Sequence, residues 1–254
     1  MANKYLNFVT DDHLLTCVSN LHQSYIKAKN DISKLRFYVN KVDTIKLTFD
    51  SKFNDIAEED LVNSEILRQI DKSINNFIGT FHEEILGGVN GYEKGNLSGF
   101  DIKAIDDTLF ADIKNKHNTM NSSAAESLFQ KLAHYADTYK KSNCYWVQIL
   151  AKGSFNTKWT AILNGKEYSH SRVYKISGDQ FYALITKQED AFMQLYKILP
   201  IAIDDYLKNI EKTGKIIEHS AIASIRDDAQ GSNRSILDQI TRDNFGYYLG
   251  FENL

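Results

Sequence analysis

The chain has 254 residues, of which 43% are hydrophobic and 12% aromatic, and a formal net charge of −3 at pH 7. These values provide for the packed core of one large or two small domains and exclude a protein that coats nucleic acid through net positive charge, while leaving room for a local basic groove. No apolar run reaches the length of a membrane span, and the N-terminal stretch MANKYLNFVTDDHLLTC lacks a basic-then-apolar secretory pattern. The expectation is a cytoplasmic protein. Cys17 and Cys144 stand far apart in apolar contexts, which predicts buried free thiols and neither a disulfide nor half a zinc site.

In chain order, Thr10-Asp11-Asp12 supplies an acidic N-cap ahead of Leu14, Leu15, Val18, Leu21, Tyr25 and Ile26, whose spacing predicts a helix. Asn40 to Phe53 alternates through Val42, Ile45, Leu47 and Phe49 and is read as a peripheral strand. A helical region begins at Ile56 and runs with interruptions to Leu86, where Gly87-Gly88 stops it. Ile66, Ile70, Ile74, Phe77, Phe81 and Ile85 form its apolar face. At about 100° per residue, Glu84 projects with Ile66 and Phe77, and Glu83 to the opposite side. A carboxylate on a buried face needs a partner. Either the helix end frays and Glu84 meets solvent or a backbone amide, or Glu84 stands at the edge of a metal site formed by the following segment.

That segment, Leu97 to Asn121, reads LSGFDIKAIDDTLFADIKNKHNTMN and predicts a β-hairpin. Its runs Gly99 to Ile105 and Thr108 to Lys116 flank Asp106-Asp107 as a two-residue turn. Placing Ile105 against Thr108 sets Ala104 against Leu109, Lys103 against Phe110, Ile102 against Ala111 and Asp101 opposite Asp112. Side-chain alternation then puts Asp101, Asp112 and Lys114 on one face. Carboxylates so opposed lie about 5 Å apart, and at an effective dielectric of about 20 they repel by about 3 kcal/mol. Lys114 supplies one compensating charge, and a divalent cation would supply two. Mg2+ suits such a pair because it takes one or two carboxylates, keeps several waters and leaves room for phosphate oxygens. The arrangement fits in-line attack on a phosphodiester, with Lys114 orienting the attacking water. Spacing alone is equally met by a solvated polar face; the opposed register favours the metal.

Ser123-Ala124-Ala125-Glu126 has capping-box form and opens a helix with Leu128, Leu132, Tyr135 and Tyr139 on one side, ending near Lys141. Cys144 to Ala151 is nearly continuously apolar and reads as a buried strand, making a right-handed crossover from the hairpin. Its one polar residue, Gln148, either bonds neighbouring backbone or touches the site. Phe155 to Val173 holds Trp159 to Leu163, the strong turn Asn164-Gly165, and Tyr168, a β-rich excursion. Ser177-Gly178-Asp179 caps a helix from Gln180 toward Lys187, and Ala191 to Leu207 carries another, interrupted at Pro200. Beyond Ile222 the chain is more polar, with a break at Gly231-Ser232-Asn233 and a helix from Ile236 to Arg242. The simplest account is one α/β domain over 1–254, with a core at about 64–152, a β-rich recognition excursion at about 153–175 and helical additions at 10–35 and 179–254.

Together, the helix with Glu84, then Phe100-Asp101, then Asp112-Ile113-Lys114, then helix and buried strand, resemble the PD-(D/E)XK nuclease core. Two further stretches, DIKNKHNTMNSS from Asp112 to Ser123 and YKISGDQFYALIT from Tyr174 to Thr186, resemble the type II restriction endonucleases that recognise GGNCC-type sites. The resemblance runs from about Leu14 to Leu207. Phe100 stands where the superfamily name has proline, and Asp112 where glutamate is expected in this group; the shorter acid still binds metal. The resemblance implies a central mixed sheet flanked by helices, with additional helices at both ends. It implies Asp101, Asp112 and Ile113 as Mg2+-binding positions, Lys114 as the residue assisting the attacking water, and Glu84 as the acid supplied by the preceding helix. It further implies cleavage of both strands of double-stranded DNA within a short symmetric sequence, hence a two-fold homodimer, and a cognate DNA methyltransferase acting on the same site. The alternatives are a structure-specific PD-(D/E)XK repair or junction nuclease, or a non-catalytic DNA-binding protein on the same fold. Joint retention of Asp101, Asp112 and Lys114 counts against the last.

G·C pairs are best read in the major groove by Arg or Lys on guanine, yet the arginines are few: Arg36, Arg68, Arg172, Arg226, Arg234 and Arg242. Arg172, in the β-rich excursion, is the preferred reader. Lys116, His117, Asn118 and Asn121 follow the catalytic strand and either contact phosphates or bases beside the cut or form a polar turn capping the next helix. Lys152, Lys158 and Trp159 are placed along the groove.

Overall fold

The acidic start at Asp11 and Asp12 opens helix α1 (Asp11–Asn30), where both carboxylates meet the positive end of the helix dipole and the Thr10 hydroxyl accepts from the His13 amide at 3.2 Å. The computed structural model describes residues 3–30, 33–95, 99–210 and 220–245. Helices α2 (Lys34–Val39) and α3 (Thr44–Asn54) follow. The strand expected over Asn40 to Phe53 is therefore a helix. Asp43 caps it, its side chain accepting from the Lys46 amide at 3.0 Å, and Ile45, Phe49 and Phe53 fit a helical face at i, i+4, i+8 as well as they fit a broken alternation. The next helix, α4 (Glu58–Gly87), is continuous over 30 residues, without the expected interruptions. It ends where Gly88 meets α1, since a Cβ there would fall 2.2 Å from the His13 ring.

Strands β1 (Tyr92–Lys94), β2 (Ile102–Ala104) and β3 (Leu109–Lys116) lead through α5 (Ser122–Thr138) to β4 (Asn143–Leu150). Short strands β5 (Asn156–Lys158), β6 (Ala161–Leu163) and β7 (Lys166–Tyr168) precede β8 (Val173–Ser177), α6 (Gly178–Thr186) and α7 (Ala191–Lys208). The β6–β7 hairpin turns at Asn164-Gly165, both at positive φ (51° and 77°), as that dipeptide predicts. Helix α7 runs through Pro200 without a break. Helices α8 (Ser220–Gly231) and α9 (Ile236–Phe245) complete the described chain.

Six strands form one mixed sheet in the order β1-β2-β3-β4-β8-β5. β2 runs antiparallel to both its neighbours β1 and β3, β3, β4 and β8 are parallel, and β5 closes the far edge antiparallel. The strand–helix–strand crossover read from the sequence is β3–α5–β4. Alternation divides the strands between two cores. Ala111, Ile113, Val147, Ile149 and Ile176 face one side with α1, α4, α6 and α7 residues such as Leu14, Phe81, Ile85, Phe181 and Leu195. Phe110, Cys144 and Val173 face the other, against Leu128, Phe129 and Leu132 of α5. Each fully buried Val, Leu, Ile or Phe among them contributes about 1.5–3 kcal/mol. Asp112, Lys114 and Gln148 share the parity of Phe110 and Cys144, and so belong to the face that α5 covers.

The chain divides into two compact units, Met1–Leu21 with Asn76–Lys212, and His22–Asn75 with Thr213–Leu254. The first holds the sheet and both of its cores. The second is helical, built from α2, α3, α8, α9 and the adjoining parts of α1 and α4 around Phe37, Leu47, Ile66, Ile225 and Ile240. Cys17 and Cys144 are buried free thiols.

Candidate active site

The pairing of β2 with β3 decides which acids meet. Ile102 stands opposite Ala111 and Lys103 opposite Phe110, and the Asp101 amide donates to the Ala111 carbonyl at 3.0 Å. Over Ile102–Lys103 this is the register expected from the sequence; at Asp101 the ladder ends, because that amide bond is one residue out of the register, so Asp101 is not paired with Asp112 but lies close enough to feel its charge. The turn is wider than two residues: it spans Ile105 to Thr108, with the Asp107 amide donating to the Ala104 carbonyl at 3.0 Å and Asp107 left-handed at φ 60°. Four residues between Ala104 and Leu109 keep the same pairing sum, so the register is unchanged.

Asp101 Oδ2 accepts from the Ile113 amide at 2.6 Å. That bond favours the carboxylate, but burial and then the charge of Asp112 hold the Asp101 pKa above its ordinary value, with Lys114 and Lys131 pulling the other way. Asp112 is buried, 7% exposed. Its Oδ1 is ion-paired to the Lys114 ammonium, and its Oδ2 lies 3.4 Å from the ammonium of Lys131. Beyond that ion pair, Asp112 Oδ1 has no hydrogen-bond partner among the described residues.

Lys131, on α5, was not singled out by the sequence. It also donates to the Gly99 carbonyl and lies 4.3 Å from the Phe100 ring centroid. The available signal was its place between Leu128 and Leu132, which form the face α5 buries; a lysine flanking such a face reaches over its edge.

The acid that α4 brings to this group is Glu83, which corrects the expectation for Glu84. Burial, followed by the charge of Asp101, raises the Glu83 pKa, while Lys94 and Lys114 lower it. Lys94 lies 3.5 Å from Glu83 Oε2. Glu84 is turned to the other flank: it accepts from the Asn20 amide group at 3.3 Å and lies 3.8 Å from Lys94. The buried residues at this end of α4 are Phe81, His82, Ile85 and Leu86. Burial of His82 and Leu86 rotates the inward arc toward Glu83, which a wheel drawn on Phe77, Phe81 and Ile85 alone does not show.

Gln148, 6% exposed, stands directly beside Lys114 in the β3–β4 pairing, on the same face. Among the described residues no three His, Cys, Asp or Glu side chains converge as a ready-made cage. The donor set is the Asp101–Asp112 pair, and with the Ile113 side chain buried, only its backbone carbonyl is available as a ligand. Two neighbouring carboxylates, one buried beside the other's charge and the other carrying a buried acceptor with no hydrogen bond, fit a hard divalent cation that keeps most of its waters.

The expected DNA-contacting residues fall into two groups. Lys116, Asn118, Lys152 and Lys158 are exposed, with Lys116 paired to Leu150 at the carboxyl ends of β3 and β4. His117 is partly buried there, its amide donating to the Leu150 carbonyl at 3.2 Å. The others are occupied within the fold. Asn121 is the α5 N-cap in place of the capping box, its side chain accepting from the Ala124 amide at 2.9 Å. Arg172 Nη1 donates to the carbonyls of Tyr139, Lys140 and Ser142 at 3.1, 2.9 and 3.3 Å. Trp159 is buried, its ring centroid 4.5 Å from that of Trp146. Arg172 is thus a clamp on the end of α5, and Trp159 is part of the core beneath that helix.

The family model for the Eco47II restriction endonuclease matches residues 6–208. The chain belongs to the Eco47II restriction endonuclease family. Its activity is that of a site-specific deoxyribonuclease, and its mixed sheet flanked by helices is a restriction endonuclease fold. It is 39% identical to the type II restriction enzyme Sau96I of Staphylococcus aureus over 96% of this chain and 97% of that one. It is 29% identical to the type II restriction enzyme Eco47II of Escherichia coli over 78% of this chain and 87% of that one. The likeness to Sau96I extends past Leu207, where the sequence motifs ended. Among the described residues, no helix is long and apolar enough to cross a membrane.

Proposed function

We propose that this restriction endonuclease is a Mg2+-dependent type II enzyme that hydrolyses both strands of double-stranded DNA within a short symmetric GGNCC-type site. It acts in the cytoplasm as a two-fold homodimer, beside a methyltransferase that protects the same sequence. The observation that carries the reading is the closeness of Asp101 to Asp112, whose carboxylate is held by two lysine ammonium groups.

Asp101, Asp112 and the Ile113 carbonyl would hold the cation. When bound, it supplies Lewis-acid stabilisation of charge on the phosphoryl oxygens. The protein's own groups do the rest. The Ile113 amide fixes Asp101, so the carboxylate is oriented before substrate arrives. Lys114, held against Asp112, donates to the attacking water and keeps it in line with the scissile bond. Lys131 adds a second cation on the α5 side, where it offsets the phosphate's negative charge. Glu83, with its raised pKa, can carry a proton at neutral pH more readily than an ordinary glutamate, which suits it to pass a proton to or from solvent. Exposed Lys116, Lys152 and Lys158 supply sequence-independent phosphate contacts.

The test is to incubate plasmid DNA with the protein and Mg2+, with and without chelator. Discrete bands that map to one short symmetric sequence and vanish with chelator support the proposal. Cutting that follows DNA structure, or no cutting with any divalent metal, overturns it.

A further inference from the structure

Helix α7 buries Ala191, Leu195 and Ala202 and packs Phe192, Leu199 and Tyr206 against the sheet's core. Its outer side is also apolar. Met193, Tyr196, Pro200, Ile203 and Leu207 follow one another at intervals of three, four, three and four residues, and the four flexible ones are 47%, 75%, 39% and 42% exposed. Alternating steps of three and four give a period of 3.5, the spacing of a seam between two helices and not of a helix lying on a sheet. A stripe of this kind left in water marks an interaction surface.

The stripe is close to symmetric about Pro200, with Met193 and Leu207 each seven residues away and Tyr196 and Ile203 four and three away. Such a sequence is complementary to itself run backwards, which is what a two-fold axis through Pro200 requires. The flanking charges agree. Lys197 and Asp204 are exposed, lie one heptad apart and border the stripe on the side away from the chain's own core. In an antiparallel pair crossing at Pro200, Lys197 of each copy faces Asp204 of the other, twice over by symmetry. Asp205, by contrast, is engaged within the chain by Lys4, Tyr5 and Lys208.

We propose that the outer face of α7 is where two copies of this chain meet, their α7 helices antiparallel about Pro200. The purpose of the pair, one catalytic centre for each DNA strand, rests on the function proposed above; the surface itself rests on the spacing and charges of α7.

The test is sedimentation of the full-length chain without DNA or metal, so that its result is independent of cleavage. The wild type is expected at twice the 29.1 kDa chain mass. Lys197→Asp and Asp204→Lys alone each set like charges together twice and are expected to raise the dimer Kd by about tenfold or more. Mixing the two single variants restores every opposite pair, so the mixture is expected to return to the dimer mass, and so is the double variant Lys197→Asp/Asp204→Lys. Both positions are exposed, and unchanged circular dichroism checks that the variants fold. A monomeric wild type, single variants that dimerise as the wild type does, or a mixture that stays apart overturns the proposal.

Discussion

The Lys131 ammonium lies 3.4 Å from Asp112 Oδ2, while Lys114 is ion-paired to the other oxygen of the same carboxylate. Two cations from different elements therefore share one acid. Removing Lys131 takes a positive charge away from both the phosphate and any cation at the carboxylates, so the effects should have opposite signs. Lys131→Gln is expected to lower cleavage at saturating Mg2+ by about tenfold to a hundredfold, and to lower the Mg2+ needed for half-maximal rate by several-fold. A metal titration of initial rates checks both. Wild-type behaviour in both would remove Lys131 from the site.

Asp101 and Lys114 have no substitute within the group. Asp101→Asn keeps an acceptor for the Ile113 amide but loses the charge, and Lys114→Ala removes the ammonium paired to Asp112 that is proposed to hold the attacking water. Each is expected to reduce cleavage by about a hundredfold to ten-thousandfold, with thermal unfolding close to that of the wild type because neither side chain belongs to an apolar cluster. Substantial cutting by either variant would displace the assigned centre.

The approach of Asp101 to Asp112 was legible because strand side chains alternate and a hairpin can only pair in a few ways, and even a wider turn at Asp107 left the Ile102–Ala111 register intact; the shift of the backbone bond at Asp101 itself was not. The helix acid was not legible in the same way. Glu83 and Glu84 flank the arc of Phe81, His82, Ile85 and Leu86 on opposite sides, and only the packing of α4 on the rest of its unit decides which flank meets the strands. Lys131 was hidden for a related reason: a periodic pattern says what α5 buries, not what lies over its edge. Glu83→Gln is expected to slow cleavage by about tenfold to a hundredfold, and Glu84→Gln to change it by less than about threefold. Equal effects would mean that α4 does not discriminate between them.

His82 Nδ1 is 2.8 Å from the Tyr182 hydroxyl, and burial lowers the His82 pKa to about 4. Below its ordinary pKa of about 6.5, the unfolded chain binds a proton that the folded chain refuses until about pH 4. Stability is therefore unaffected by His82 above about pH 6.5, falls as pH drops through that window, and has lost about 3 kcal/mol from this group near pH 4. His82→Gln keeps a hydrogen-bonding group but cannot titrate. Urea midpoints at pH 7 and pH 5 should differ less in the variant than in the wild type; identical differences would show that another group governs acid sensitivity.

Arg172 was the preferred base reader from the sequence, since a guanidinium in a β-rich excursion is well suited to guanine. In the fold, its Nη1 instead collects the carbonyls of Tyr139, Lys140 and Ser142, and its Nη2 lies 3.7 Å from Asp137. These carbonyls follow the end of α5, where backbone acceptors lack helical partners and a nearby cation both bonds them and meets the negative end of the dipole. Arg172→Ala removes this donor from all three, leaving the Tyr139 carbonyl only the Ser142 amide and hydroxyl, and is expected to destabilise the fold by about 1–3 kcal/mol, while the cleaved sequence stays the same. Lysine at this position restores charge but not the fork, so Arg172→Lys should recover only part of the loss. Thermal unfolding and fragment mapping separate the two roles: relaxed cleavage at unchanged stability would return Arg172 to the DNA, whereas lower stability with unchanged fragments keeps it on α5.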